Sequence, residues 1–398
     1  MVALAVAFPL PAADDPLAPV RAQLARLESL RQERPDDGLL TFYLASTRAR
    51  LGQKGEALLL LRGLFGRRLG LIPARGIGFD EIWADQEFQA IRGRLEAEEP
   101  RTPVAPVRFL LRDASLIPEG IAYDAVGRRF YVGSIARRKI VAVDSHGRSR
   151  DLSRRQDGLD SVLGIAVDPA RRALFAVATN ADSRPPQSPL RNAVVRYDLR
   201  TGRLTDKWSI PEAVQLNDVA VAADGTLYVT DSGGGSVFRR KGNDSSFRRL
   251  GEPGAFRAAN GITATPAGVV YVAVGTGLMR VEPATGRAER VLQGGDTVTG
   301  GIDGLYWHDG DLVGIQNGPN PGRVVRIELV DSGSRVAGLT VLQSHHHPAF
   351  DIPTTGAIVG DEIFVIANSN VDRLRPDGSI QDRDTVKPAA IVAVPLGR

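Results

Sequence analysis

Leu216-Asn217-Asp218-Val219-Ala220-Val221, a turn at Asp224-Gly225, and Thr226-Leu227-Tyr228-Val229-Thr230-Asp231 make up the stretch that decides the fold. A polar pair leads an apolar run of period two, an Asp-Gly turn reverses the chain, and a second β-rich run answers the first. Ser236-Val237-Phe238 supplies a third strand. The same unit recurs along the chain. Aligned in register, its leading pairs are Glu119-Gly120, Leu163-Gly164, Asn217-Asp218, Asn260-Gly261, Asp303-Gly304 and Thr355-Gly356, some 43 to 54 residues apart. Self-similarity at this period, with four strands' worth of sequence per unit, predicts a mainly β fold, a six-bladed β-propeller.

Blade 1 shows the unit most clearly. Gly120-Ile121-Ala122-Tyr123 is followed by a turn at Gly127, then Arg129-Phe130-Tyr131-Val132-Gly133, then Lys139-Ile140-Val141-Ala142-Val143 and a turn at His146-Gly147. The ends suggest how the ring closes. Ile391-Val392-Ala393-Val394-Pro395-Leu396 reads as the third strand of blade 6, and no sequence remains for a fourth. Val107-Arg108-Phe109-Leu110-Leu111 precedes blade 1 with nothing local to pair with. It is therefore expected to become the outermost strand of blade 6, removing an open edge.

Upstream the period changes. Leu17, Val20, Leu24, Leu27 and Leu30 have helical spacing, Pro35-Asp36-Asp37-Gly38 interrupts it, and further helices are expected around 39–51, 55–66 and 79–97. Ala45, Gly52, Ala57 and Leu61 are spaced as in one tetratricopeptide repeat, so a small tetratricopeptide-like α-helical domain over 16–98 is expected, a cap on the propeller or a surface for a protein partner. Glu98-Glu99-Pro100-Arg101-Thr102-Pro103 is linker-like, giving a linker over 99–104 and a propeller over 105–398. Residues 1–15 open with an apolar run and Pro9-Leu10-Pro11-Ala12-Ala13, which reads as the remnant of a signal peptide without its basic segment, or as an ordinary apolar terminus. The first reading implies a periplasmic or secreted bacterial protein, the second a cytoplasmic one.

The composition excludes several classes of function. The chain has 398 residues, 43% hydrophobic and 24% charged, with a net charge of +4 and no cysteine. Thiol catalysis, disulfides and cysteine-zinc sites are excluded. Arginine doublets such as Arg137-Arg138 and Arg239-Arg240 are scattered and lack interleaved aromatics, so no nucleic-acid partner is expected. No apolar run is long enough for a membrane span. No G-x-S-x-G element accompanies the five histidines, so a serine triad is not expected.

The first residue of each repeated pair carries the chemistry. Innermost strands of a propeller all begin at one face of the axial tunnel, so Glu119, Asn217, Asn260 and Asp303 are expected to meet there, with Leu163 and Thr355 as the non-ligating members. Any one Asn-Gly or Asp-Gly pair is an ordinary turn former. Two carboxylates and two amide carbonyls at matched phase make a site for a hard divalent cation, most naturally Ca²⁺, another divalent ion being the alternative.

At these residues the chain resembles the SMP-30/gluconolactonase/LRE-like family and, more distantly, diisopropylfluorophosphatase and the paraoxonases. The resemblance covers residues 105–397 and rests on Pro118-Glu119-Gly120, Leu216-Asn217-Asp218 ahead of the Asp224–Asp231 run, Asn260-Gly261-Ile262 and Ile302-Asp303-Gly304. It implies a calcium-type propeller in which Glu119, Asn260 and Asp303 hold the metal, while Asn217 ligates it or faces the substrate beside it. The activity implied is that of a carboxylic ester hydrolase acting on a lactone or related ester, with the metal as Lewis acid and Asp303 as the candidate catalytic base. Asn217, Gln215, Thr355 and Asn368 are the candidate substrate contacts. Two positions depart from the family pattern. Gln215 stands where sugar lactonases often carry arginine, and Ala367-Asn368-Ser369-Asn370 stands where phosphotriesterase relatives place a histidine. His345-His346-His347 reads as a solvated loop or as the source of a proton shuttle. The alternative is a non-catalytic propeller pinned by calcium that binds a small molecule or a protein.

Overall fold

The computed structural model describes residues 15–184, 188–319 and 321–397. The segment read as a signal-peptide remnant lies, apart from Asp15, outside the described residues. From Val107 onward the chain forms six four-stranded antiparallel sheets, in the order expected of a six-bladed propeller. Five blades are built from consecutive strands. The sixth runs Gly356–Val359, Glu362–Ile366, Ala389–Pro395 and then Val107–Leu111. The closing strand pairs antiparallel with the last one, Phe109 opposite Ile391 and Leu111 opposite Ala389.

The sequence pattern explains which strands lie where. Second strands such as Ala173–Thr179 and Val270–Val274 are buried along their whole length, because each blade is covered on both faces by its neighbours. Outer strands such as Arg203–Ser209 alternate between exposed and half-buried residues and face water. The apolar side chains fall into one cluster per blade junction. At the closure, Phe109, Phe130 and Phe364 interlock with ring centroids 5.1–5.4 Å apart. The inner hairpins reverse at Gly225, Gly268 and Gly310, all at positive φ, as their turns require.

Four helices precede the propeller, Ala18–Glu33 (α1), Gly38–Arg50 (α2), Lys54–Arg62 (α3) and Gln86–Ala97 (α4). Asp37 caps α2 by accepting from the Leu39 and Leu40 amides, and Asp85 caps α4 by accepting from Phe88. Two boundaries differ from expectation: the helix expected to reach 66 ends at Arg62, and the helix expected from 79 begins at Gln86, where Asp85 caps it, with Asp80–Ile82 a separate single turn. No helix among the described residues is long and apolar enough to cross a membrane.

The helices rest on the propeller face where inner strands start and second strands end. The Tyr43 hydroxyl donates to Gly275 O, Gly38 N donates to Gly295 O, and Arg67 pairs with Asp296. Below them the fully buried Arg323 donates to Leu69 O, the Glu99 carboxylate and Gln316 Oε1. Gln316 in turn donates to the Val298 and Gly300 carbonyls. The helical segment is thus tied to the loop that leads into Asp303.

Candidate metal centre

The repeated pairs are where the blades touch around the axis. Three of the glycines are forced by the next blade: a Cβ on Gly120 would run into Leu163 O, on Gly164 into Asp218 and on Gly261 into Asp303 O, while on Gly304 it would meet Tyr306 of its own blade first and sit 3.1 Å from Thr355 Cα of the next. Blade 3 carries Asp218 in place of glycine, and its carboxylate reaches the next blade at Ile262 N, 3.3 Å away. The circle closes where the Thr354 and Thr355 hydroxyls donate to Glu119 O at 3.0 and 2.6 Å. The six pairs therefore form one continuous ring.

Local backbone geometry aims the leading side chains. The pairing register of the inner hairpin shifts between Pro118 and Ile121, Val162 and Ile165, Leu216 and Val219, and Ile302 and Gly304. In four of the six blades the repeated pair is thus a β-bulge, a device that re-aims a side chain and bends the strand. Left-handed residues stand two positions upstream of three ring members: Ile117 before Glu119, Ala258 before Asn260 and Gly301 before Asp303. At Ile117, buried and β-branched, this conformation is strained, and such strain persists only where the surroundings enforce it.

The side chains gathered here are acidic and amide-bearing. Glu119, Asn217 and Asp303 are buried, and Asn260 is half-buried. Asn317 Nδ2 donates to Asp303 Oδ2 at 2.5 Å and to Pro353 O, which fixes the carboxylate. Asp303 Oδ1 and Asn260 Oδ1 are both buried and have no hydrogen-bond partner. Such orphaned oxygens are uncommon and point to an absent ligand. Burial, reinforced by Asp303, Asp182 and Asp218, raises the Glu119 carboxyl well above the usual range. Burial raises Asp303 to about 6, opposed by the Asn317 hydrogen bond and by the neighbouring Asn260 amide. Burial raises Asp218 to about 7, with Asp303 adding to the effect. No described Lys, Arg or His pairs with any of them. Among the described residues no three His, Cys, Asp or Glu cluster as a metal site; the four ring residues singled out in the sequence are two carboxylates and two amides. Below the ring an axial cavity of about 250 Å³ is lined by Asp218, Tyr306 and Thr355 among apolar inner-strand residues.

The rim residues fare differently. Gln215 Nε2 donates to Asp182 Oδ1 at 2.7 Å at the mouth. Thr355 spends its hydroxyl on Glu119 O. Asn368 holds the ends of its own loop, donating to Pro388 O and accepting from Ala390 N. His347 is buried, bonded through Nε2 to Ala105 O while its Nδ1 accepts from Ala349 N. His345 lies 3.9 Å from Glu96 of α4. The histidine run is a junction between α4, the linker and blade 6, and not a solvated loop. Asp218, Asn317 and Asp182 were not foreseen. Asp218 follows Asn217 directly and could have been found as the one carboxylate in a glycine slot, whereas Asn317 and Asp182 sit in loops that do not repeat.

No family model matches the sequence, and a search of curated proteins finds no match. The fold does match solved structures. The major allergen Mala s 1 of Malassezia sympodialis aligns with a TM-score of 0.58 at 16% identity, over 72% of this chain and 96% of that one. Regucalcin of Agrobacterium tumefaciens, a calcium-binding protein, aligns at 0.51 and 18%, over 75% and 97%. A gluconolactonase of Xanthomonas campestris aligns at 0.49 and 16%, over 75% and 99%. At these identities the likeness is one of fold.

Proposed function

We propose that this protein is a metal-dependent hydrolase of lactones or related carboxylic esters, a divergent member of the SMP-30/gluconolactonase-like propellers. Glu119, Asn217, Asn260 and Asp303 would hold a divalent cation, Ca²⁺ by the hardness of the donors. The observation that carries this reading is the pair of buried, unpartnered oxygens, Asp303 Oδ1 and Asn260 Oδ1, in a ring with a second carboxylate and no described basic partner. When bound, the cation supplies Lewis-acid chemistry, offsetting the negative charge that develops on a carbonyl oxygen under attack.

The chain's own residues divide the remaining work. Asp303 Oδ1 accepts a proton from the attacking water, while Asn317 on Oδ2 keeps the carboxylate from turning away. Asn217 orients the carbonyl, and Gln215 lies at the rim for the rest of the substrate. The helices, read as a tetratricopeptide-like domain over 16–98 on a linker at 99–104, cover blades 4 and 5 and narrow the approach from that side.

The test is Ca²⁺ titration by calorimetry alongside turnover of a lactone panel. Asp303→Asn should stay folded, bind Ca²⁺ more weakly and remain inactive at saturating metal. Glu119→Gln should lose affinity but regain part of its activity as Ca²⁺ is raised, because mass action offsets a weakened ligand and cannot replace a base. A parent protein that binds no divalent cation, or that turns over nothing with the metal bound, would overturn the proposal.

A further inference from the structure

The loop of blade 2 that follows the strand Ala173–Thr179 rises on the ring face, since Thr179 pairs with Ser161 at the start of the inner strand. Its first turn, Ala181–Ser183, is fixed. Asn180 donates to Pro189 O at 3.0 Å and accepts from Arg191 N at 2.7 Å, and Ala181 N donates to Thr179 Oγ1. Asp182 on this turn accepts from Gln215, two residues before Asn217. The Gln215 backbone N–H donates to the buried Asp231, which also accepts from Val214 N and Gly234 N. Asp182 is therefore a carboxylate held in place at the mouth by Gln215, its residue surface exposed while partial burial of the carboxyl raises it above the usual range.

Its partners are as informative as its position. The amide of Gln215 is neutral, and no other described side chain bonds to the Asp182 carboxylate. None of the cations nearby forms an ion pair with it, though only Arg191 has its charge matched by another carboxylate, and Arg184, two residues on, donates to the neutral Ser188 O. Arg191, in the same loop, forms a two-pronged pair with Asp160 at 2.6 and 2.9 Å. Arg138 lies against Ser183 Oγ at 3.5 Å. A cation in the ring would be balanced by Glu119 and Asp303, so Asp182 stands at the mouth as a carboxylate with no ion-pair partner of its own among the described residues.

We infer that Asp182 is a specificity-determining residue that favours substrates carrying a cationic, ammonium-type substituent near the ester and rejects those carrying an anionic one. This rests on the ring being the substrate site, as proposed above. The charge acts by attraction on one class and by repulsion on the other, so discrimination comes from both. A unit charge a few ångströms away in a partly hydrated mouth corresponds to roughly tenfold in affinity.

The experiment uses the Ca²⁺-loaded full chain and matched five-membered lactams, differing only in an ammonium, hydroxyl or carboxylate substituent, as non-hydrolysable binding probes. Calorimetry should rank ammonium above hydroxyl above carboxylate, with about tenfold between the extremes. Asp182→Asn, which keeps the shape of the side chain, should flatten the ranking, and Asp182→Lys should invert it, an outcome that a merely structural role would not produce. An unchanged ranking in both variants, a parent that prefers the carboxylate, or no binding of any lactam overturns the inference. The matching lactones separate it from the hydrolase reading. Turnover without charge ranking overturns the role of Asp182 alone, whereas ranked lactam binding with no lactone turned over upholds Asp182 and overturns the hydrolase.

Discussion

At Gly261 a single methyl group is too much. A Cβ there would meet Asp303 O and lie 2.7 Å from Leu305 N, both backbone atoms of the next blade that cannot swing aside. Gly261→Ala should cost about 1–3 kcal/mol by overpacking, seen as a lower melting temperature, and should weaken Ca²⁺ binding because it pushes on Asp303. Gly268→Ala is the control for glycine content: nothing lies within 4 Å, and its cost comes from positive φ alone, with Ca²⁺ affinity unchanged. At this scale the ring was legible because its members recur at one phase. The support of Asp303 by Asn317 was not, because a loop asparagine has no periodicity to betray it. Thr355 and Asn368 carried the right chemistry for substrate contact, but their polar atoms are engaged with backbone.

Strand pairing and docking raise questions one level up. Arg323 is 2% exposed and joins three elements, the linker through Glu99, the helical segment through Leu69 O and blade 5 through Gln316. Removing one partner of a buried pair strands the other charge, so Glu99→Ala should destabilise the protein by about 3–5 kcal/mol, measured by chemical denaturation. The Glu99→Ala, Arg323→Met double variant should recover much of that loss, since a buried pair replaced as a whole is often near neutral. The closing strand was readable from its lack of any local partner, and Phe109 opposite Ile391 confirms the expected pairing. A chain beginning near residue 115 should therefore expose the edge Ala389–Pro395 and aggregate, as light scattering would show. The docking of the helices was not readable, because their apolar faces do not reveal which surface of the propeller they meet.

For the molecule as a whole, the axial carboxylates dictate an unusual response to pH in the absence of metal. Asp303 is raised to about 6 and Asp218 to about 7, so the folded state holds protons that the unfolded chain releases near 4. Their stabilising contribution is full below pH 4 and is lost as pH rises through 6 and 7. His345, lowered to about 4 chiefly by burial, works the other way with one proton, its contribution being lost as pH falls below 6.5. The metal-free melting temperature should therefore fall from pH 5 to pH 8. If the ring holds Ca²⁺ as proposed, adding it should reverse the trend, because a cation would bind the deprotonated ring and release protons. A metal-free protein that gains stability over this range would show that the carboxylates are not protonated together.

The closing pair also fixes an order of events during synthesis. Phe109 leaves the ribosome early, and its partner Ile391 only after all the other blades have been made. Five blades can form behind the translating ribosome, each from consecutive strands, yet the circle stays an open arc until Ala389–Pro395 emerges. Closing so large a loop is slow compared with hairpin formation. During that interval the waiting strand Val107–Leu111 and the raw flank of blade 1 are exposed to neighbouring chains on the same polysome. Conditions that slow translation of the blade 6 codons would prolong this exposure, so the yield of native protein should depend more on the codons for Gly356–Pro395 than on an equal number in the middle of the propeller.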